Sequence, residues 1–354
     1  KHLNCFITKS CRMGGNSSLP SLPNNQLYFV LVGQNAEQIP FIVPPGHPIL
    51  SLNLQKNLIR ILPPDLPQLK TLILSENSME EINPEMKHAI LSYPSLQSLD
   101  LARNQITEFD ISIKSLQSLN IIQNRLQKMP ELSENLITGA YDFNIIRILD
   151  QSSPVIQTLT LSLNYIDTVN SDLKFDKLVT FDCSMNRIAK IDTFSTMFPS
   201  IKTANLSFNK FTQFPSPLSQ TLVELDLSYN EIVTVPDEIE HLSNLQTINI
   251  SYNKIAALPK LPSSLQNIFA TNNKIVSIAD AELPNLQCAV FSNNELPNLP
   301  KLTNHISPTL FFSHNHIQAL TLEMMIRPVE QLNLADNEIT EIPVELFSMP
   351  RLRI

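Results

Sequence analysis

One asparagine, recurring along almost the whole chain, constrains the fold more than any other feature. It stands at positions 35, 57, 77, 104, 124, 144, 164, 186, 209, 230, 253, 273, 294, 315 and 337. The intervals run from 20 to 23 residues, with one of 27 before Asn104. Around it the pattern is constant, as in Leu222-Val-Glu-Leu225-Asp-Leu227-Ser-Tyr-Asn230-Glu-Ile232 and Leu245-Gln-Thr-Ile248-Asn-Ile250-Ser-Tyr-Asn253-Lys-Ile255. Fifteen copies in register describe a chain built by stacking one small unit, in which each unit buries its apolar side only against its neighbours. Such a chain has no need of the two or three separate cores that 354 residues would otherwise suggest.

The unit dictates its own geometry. Its leucines alternate with polar residues at period two, so a short strand sends the leucines to one side and the polar residues to the other. Successive strands then pair in parallel, and each needs a return path of about 10–15 residues. Proline-rich returns such as Leu258-Pro-Lys-Leu-Pro-Ser-Ser-Leu265 are expected to be extended or 3₁₀, because proline lacks an N–H. Asp237–Leu242 suits a helical turn, and the long repeat should hold a true helix over Pro84–Ser92. The asparagine side chain, able both to donate and to accept, should satisfy backbone groups of adjoining turns and form a ladder.

This is the leucine-rich repeat signature. The resemblance covers residues 27–354 and implies an α/β solenoid. The expected form is a horseshoe with a parallel sheet on the concave face and short 3₁₀, extended or helical segments on the convex face. Residues 1–26 are expected to be a flexible N-terminal segment. Met349-Pro-Arg-Leu352-Arg-Ile354 reads as the start of a sixteenth repeat, as if the chain were part of a longer protein.

Composition narrows the function. The net charge is -8, which disfavours nucleic acid and electrostatic docking on an anionic membrane. With only 5 glycines and no Walker, G-x-G-x-x-G, G-x-S-x-G or H-E-x-x-H motif, no catalytic machinery is expected in these residues, and no cofactor or metal. His314-Asn-His316 with His305 lacks the rest of a zinc site. Asp100, Asp182, Glu224 and Asp226 fall on the strand face as a solvated acidic set rather than an acid pair. Cys5, Cys11, Cys183 and Cys288 are widely spaced, which favours a reducing compartment and a cytoplasmic protein. Cys183 takes a core leucine position and Cys288 a strand-face position. No apolar run reaches the length of a membrane span. Met13-Gly14-Gly-Asn-Ser-Ser18 matches the N-myristoylation pattern, so Gly14 is a lipidation candidate if translation starts at Met13. One acyl chain alone would give only weak membrane association.

A protein or peptide partner is the expected ligand, on the concave face. Strand-face positions lie six, four and two residues before each asparagine and are mostly polar, as at Thr203, Asn205 and Ser207. The middle column instead reads Phe269, Val290 and Phe311 in three successive repeats. An exposed apolar row of this kind marks a contact site, unless its members cover one another or a C-terminal segment covers them. Immediately before the asparagine runs a second stripe: Phe143, Leu163, Met185, Phe208, Tyr229 and Tyr252. Immediately after it stand Arg187, Lys210, Lys254 and Lys274, a set that suits an acidic peptide and is too small for nucleic acid.

The Ser-Tyr-Asn turns with Val235-Pro236 and Leu258-Pro259 endings resemble the cytosolic Ras-associated leucine-rich repeat proteins. That repeat type also precedes the catalytic domains of adenylate cyclases and of leucine-rich-repeat PPM-type phosphatases. The resemblance implies an interaction scaffold in intracellular signalling, or the targeting and substrate-recognition arm of a larger signalling enzyme. The Leu-Pro-x-Leu-Pro-x-x-Leu returns also look like those of bacterial leucine-rich effectors.

Overall fold

The computed structural model of the chain describes residues 19–300, 302–303, 309–320 and 329–344. Gly14 and the other residues before Leu19 lie outside the described residues, as do His305 and Met349–Ile354. The chain divides into two compact units, residues 1–165 and 166–354.

The first unit is a solenoid on parallel three-residue strands: Tyr28–Val30, Ser51–Asn53, Thr71–Ile73, Ser98–Asp100, Ser118–Asn120, Thr138–Ala140 and Thr158–Thr160. The second repeats the plan with Thr180–Asp182, Thr203–Asn205, Glu224–Asp226, Thr247–Asn249, Asn267–Phe269, Cys288–Val290, Thr309–Phe311 and Gln331–Asn333. In nearly every strand the central residue is buried and its two neighbours are half-buried. The apolar side of each repeat is fully enclosed, as Leu222, Leu225, Leu227 and Ile232 show.

The returns follow the sequence. The long repeat holds an α-helix over Pro84–Leu91, with proline at its first turn, where a missing N–H costs nothing. Asn83 caps it by accepting the Met86 N–H at 2.8 Å. Asp237–His241 is a 3₁₀ turn. A further short helix, Phe194–Met197, packs an aromatic cluster in which Phe198 contacts Phe175, Phe181 and Phe194.

The asparagines form the ladder. Asn230 donates from Nδ2 to the carbonyls of Leu206 (3.1 Å), Leu227 (3.0 Å) and Ser228 (3.2 Å), and its Oδ1 accepts the Phe211 N–H at 3.0 Å. Asn253 repeats the set one turn on. Each asparagine thus ties its own turn to the preceding one.

Three details differ from the sequence reading. Tyr28 pairs with Ser51, so the first ladder position is Gln34, not Asn35; Asn57 Oδ1 accepts the Gln34 and Ala36 N–H groups there. The N-terminal boundary moves too. Leu22 is buried and donates its N–H to the Ile42 carbonyl, and the Ile42 N–H donates to Pro20 O in an isolated parallel bridge, so residues 20–22 belong to the packed structure rather than to a flexible segment. Finally, the column two before the asparagine is uneven: Ser75, Ser184, Ser207, Ser228 and Ser251 are buried, whereas Gln55, Ala102, Ser162, Thr271, Ser292 and Ser313 are half-buried like the strand-face residues and Ala335 is exposed.

Candidate functional site

The residue immediately before each ladder asparagine has a left-handed backbone, with φ between +52° and +59° from Lys56 to Asp336. The turn out of the strand demands this, and most L residues adopt it at a cost. It also aims the side chain outward. In the second unit Met185, Phe208, Tyr229 and Tyr252 are all exposed at this position; in the first, Phe143 is exposed and Leu163 half-buried.

Three of these rings form a stack. Phe208 and Tyr229 lie with centroids 4.0 Å apart and planes within 9° of parallel, and Tyr229 and Tyr252 repeat this at 4.1 Å and 9°. The strand spacing of about 4.8 Å sets the interval, and the rings lean to close it. The neighbouring Tyr252 hydroxyl favours the neutral form of the Tyr229 hydroxyl and raises its pKa above the usual tyrosine range. The backbone beneath is fixed. Phe208, Tyr229 and Tyr252 each donate an N–H to the following repeat, to Ser228 O (2.9 Å), Ser251 O (2.9 Å) and Thr271 O (2.8 Å).

The apolar row begins in the repeat after Tyr252. Phe269 pairs with Val290 and Val290 with Phe311 in the sheet register, so the three stand in one column on the face opposite the core. All three are half-buried rather than fully exposed.

That column has a structural task which the sequence pattern did not reveal. At Asn53, Asp100, Asn120, Asp182, Asn205, Asp226, Asn249 and Asn333 the side-chain oxygen accepts the N–H two residues on, closing an Asx turn at the strand end. Phe269, Val290 and Phe311 give up this bond. The Asp or Asn recurring four residues before the ladder asparagine is the signal that could have exposed it.

The remaining candidates fall into place around this surface. Asp182 and Asp226 also accept from the amides of Asn205 (3.3 Å) and Asn249 (3.0 Å), so these acids are committed to the turns. Glu224 is exposed on the same strand as Asp226. Cys183 is buried in the core; Cys288 is half-buried on the strand face, where desolvation raises its thiol above the usual range. His314 and His316 are exposed and lie 3.3 Å and 2.8 Å from Asp336 and Glu338. Among the described residues no group of three His, Cys, Asp or Glu side chains could hold a metal ion, and no helix is long and apolar enough to cross a membrane.

Comparison with known proteins agrees with the fold. The family model "Leucine Rich repeats (2 copies)" matches residues 220–263, and "Leucine Rich repeat" matches 94–108. Osteomodulin of Rattus norvegicus is 28% identical over 229 residues, covering 54% of each chain. The chain therefore spans about half the length of such relatives. An adenylate cyclase of Schizosaccharomyces pombe aligns at 24% identity with 94% of this chain but only 20% of its own length. Among solved structures, YopM from Yersinia enterocolitica superposes with a TM-score of 0.65 at 24% identity, covering 88% of this chain and 69% of that one.

Proposed function

We propose, for a chain that is a leucine-rich repeat protein, that it works by binding a protein or peptide partner on the strand face of residues 166–354. Phe269, Val290 and Phe311 form the centre of the contact, and Tyr252, Tyr229 and Phe208 extend it. The observation that carries this reading is the column itself. In the other strands of residues 166–354 it closes Asx turns, whereas Val30, Ile73, Ala140 and Thr160 of the first unit do not; in three adjacent repeats of the second unit it holds apolar side chains that are neither core nor cap. The contact requires no chemistry, and none of its residues forms a catalytic constellation. Free thiols at Cys183 and Cys288 support a reducing compartment.

The test replaces Phe269 and Phe311 by asparagine together. Asparagine restores the residue type that caps the other turns, so the variant is expected to fold at least as well as the natural chain. Partner affinity should fall by at least about 2 kcal/mol, as for loss of central aromatic contacts. Loss of folding would show these residues to be core. Unchanged affinity in a folded variant would remove them from the interface.

A second reading is favoured by one observation, the adenylate cyclase alignment that spans nearly all of this chain and a fifth of that enzyme. On it, the same face is the recognition arm of a larger signalling enzyme.

A further inference from the structure

The nature of the partner can be narrowed from what borders the ring stack, an inference that rests on the partner-binding reading. The residue after each ladder asparagine is held in register, its N–H bonded to the preceding turn: Lys210 to Ile188 O, Lys254 to Ile232 O and Lys274 to Ile255 O. From Lys210 to Glu295 the same column holds two carboxylates, Glu231, whose Oε2 lies 2.7 Å from Lys254 Nζ, and Glu295 in the repeat after Lys274. Among the described residues no carboxylate lies within 4.0 Å of the Lys210 or Lys274 ammonium. Across the strands Asp182 and Asp226 are engaged by turn N–H groups and asparagine amides, and Glu224 is exposed. The lysine edge thus presents two ammonium groups without a carboxylate partner, in a chain whose net charge is -8.

The rings point to the same chemistry. Stacked at 4.0 and 4.1 Å, they cover both π faces of Tyr229 and one face each of Phe208 and Tyr252. Ring edges carry the positive end of the aromatic quadrupole, so they favour anions. Three lysines are few for a phosphate backbone.

We propose that the Phe208–Tyr229–Tyr252 stack and its Lys210–Lys254–Lys274 border receive an acidic segment of a protein partner. Carboxylates of that segment meet the lysines and ring edges, and apolar residues among them continue onto Phe269.

The chain contains no tryptophan, so a tryptophan-bearing probe can be followed without background. The probes are a synthetic peptide of glutamates interspersed with tryptophan, its lysine counterpart, and a fluorescently labelled oligothymidylate. Anisotropy should report binding of the acidic peptide, weakened by salt. Lys210→Glu with Lys274→Glu should weaken it at least ~10-fold, since these charges face the ligand directly. Tyr229→Asn with Tyr252→Asn should abolish it while circular dichroism shows an intact fold. The inference is overturned if the lysine peptide or the oligothymidylate binds as tightly, if charge reversal leaves affinity unchanged, or if the acidic peptide does not bind. None of these results touches the partner-binding role, which stands or falls with the Phe269→Asn, Phe311→Asn variant and the native partner.

Discussion

Replacing Asn230 with alanine tests the ladder where every partner is known. The side chain makes four hydrogen bonds, and their loss is unequal. The Leu206 carbonyl keeps a bond from Asn209 Nδ2 at 3.1 Å, and the Leu227 carbonyl keeps one from Asn253 Nδ2 at 2.9 Å. The Phe211 N–H has no other acceptor among the described residues, and Phe211 is completely buried. One stranded buried donor costs about 1–3 kcal/mol, and the weakened carbonyl contacts and lost volume add to it. The expected destabilisation is about 2–4 kcal/mol. Urea unfolding followed by far-ultraviolet circular dichroism reads it as a fall in midpoint at constant slope. Asn230→Asp sharpens the test. A carboxylate can still accept the Phe211 N–H, but its second oxygen faces three carbonyls in a buried site. Its folded pKa should therefore lie above the unfolded value of about 3.9. The variant should then be least impaired below that unfolded value and lose stability as pH rises through the folded one. An alanine variant within about 0.5 kcal/mol of the natural chain, which is the scatter of ordinary surface substitutions, would refute the ladder at this repeat.

Two further expectations follow from single sites. Gly139 stands where neighbouring strands place Leu119 and Leu159, and a Cβ there would meet the buried Tyr141 ring at 2.6 Å; Gly139→Ala should lower the thermal midpoint by the equivalent of about 1–3 kcal/mol, and an unchanged midpoint would show that the ring can move aside. In the stack, alkaline titration followed by tyrosinate absorbance should show Tyr229 ionising at lower pH once Tyr252→Phe removes the neighbouring hydroxyl, and a shift to higher pH would contradict that influence.

Most of the fold was legible because counting sufficed. The interval between asparagines placed the strands, and Pro84 with a preceding asparagine placed the helix. The slip at Asn35 came from adjacent amides, Gln34 and Asn35, which the pattern alone does not separate; the pairing of Tyr28 with Ser51 does. The five buried serines of the column two before the asparagine have a different cause: they lie two residues past a strand only three residues long, where alternation alone does not set exposure. Register also placed Phe269, Val290 and Phe311 in one column, since that too is counting. Their partial burial depends on how neighbouring side chains lean, which spacing does not encode.

The ring stack was the least legible part because it needs two conditions that a pattern search treats separately. Its backbone must be left-handed, which the fold imposes on any residue at that position. Its side chains must also be flat and in consecutive repeats, which only Phe208, Tyr229 and Tyr252 satisfy. Each ring follows directly on an N–H bonded to the next repeat and precedes a ladder asparagine, so its position is set before any partner arrives. A partner meeting such rings orders little backbone, and more of its contact energy reaches affinity. The two neighbouring residues should therefore separate experimentally. Asn230→Ala should weaken both stability and partner binding, because it loosens the frame that carries the stack. Tyr229→Asn should weaken binding alone, because asparagine suits the left-handed backbone and leaves the ladder intact.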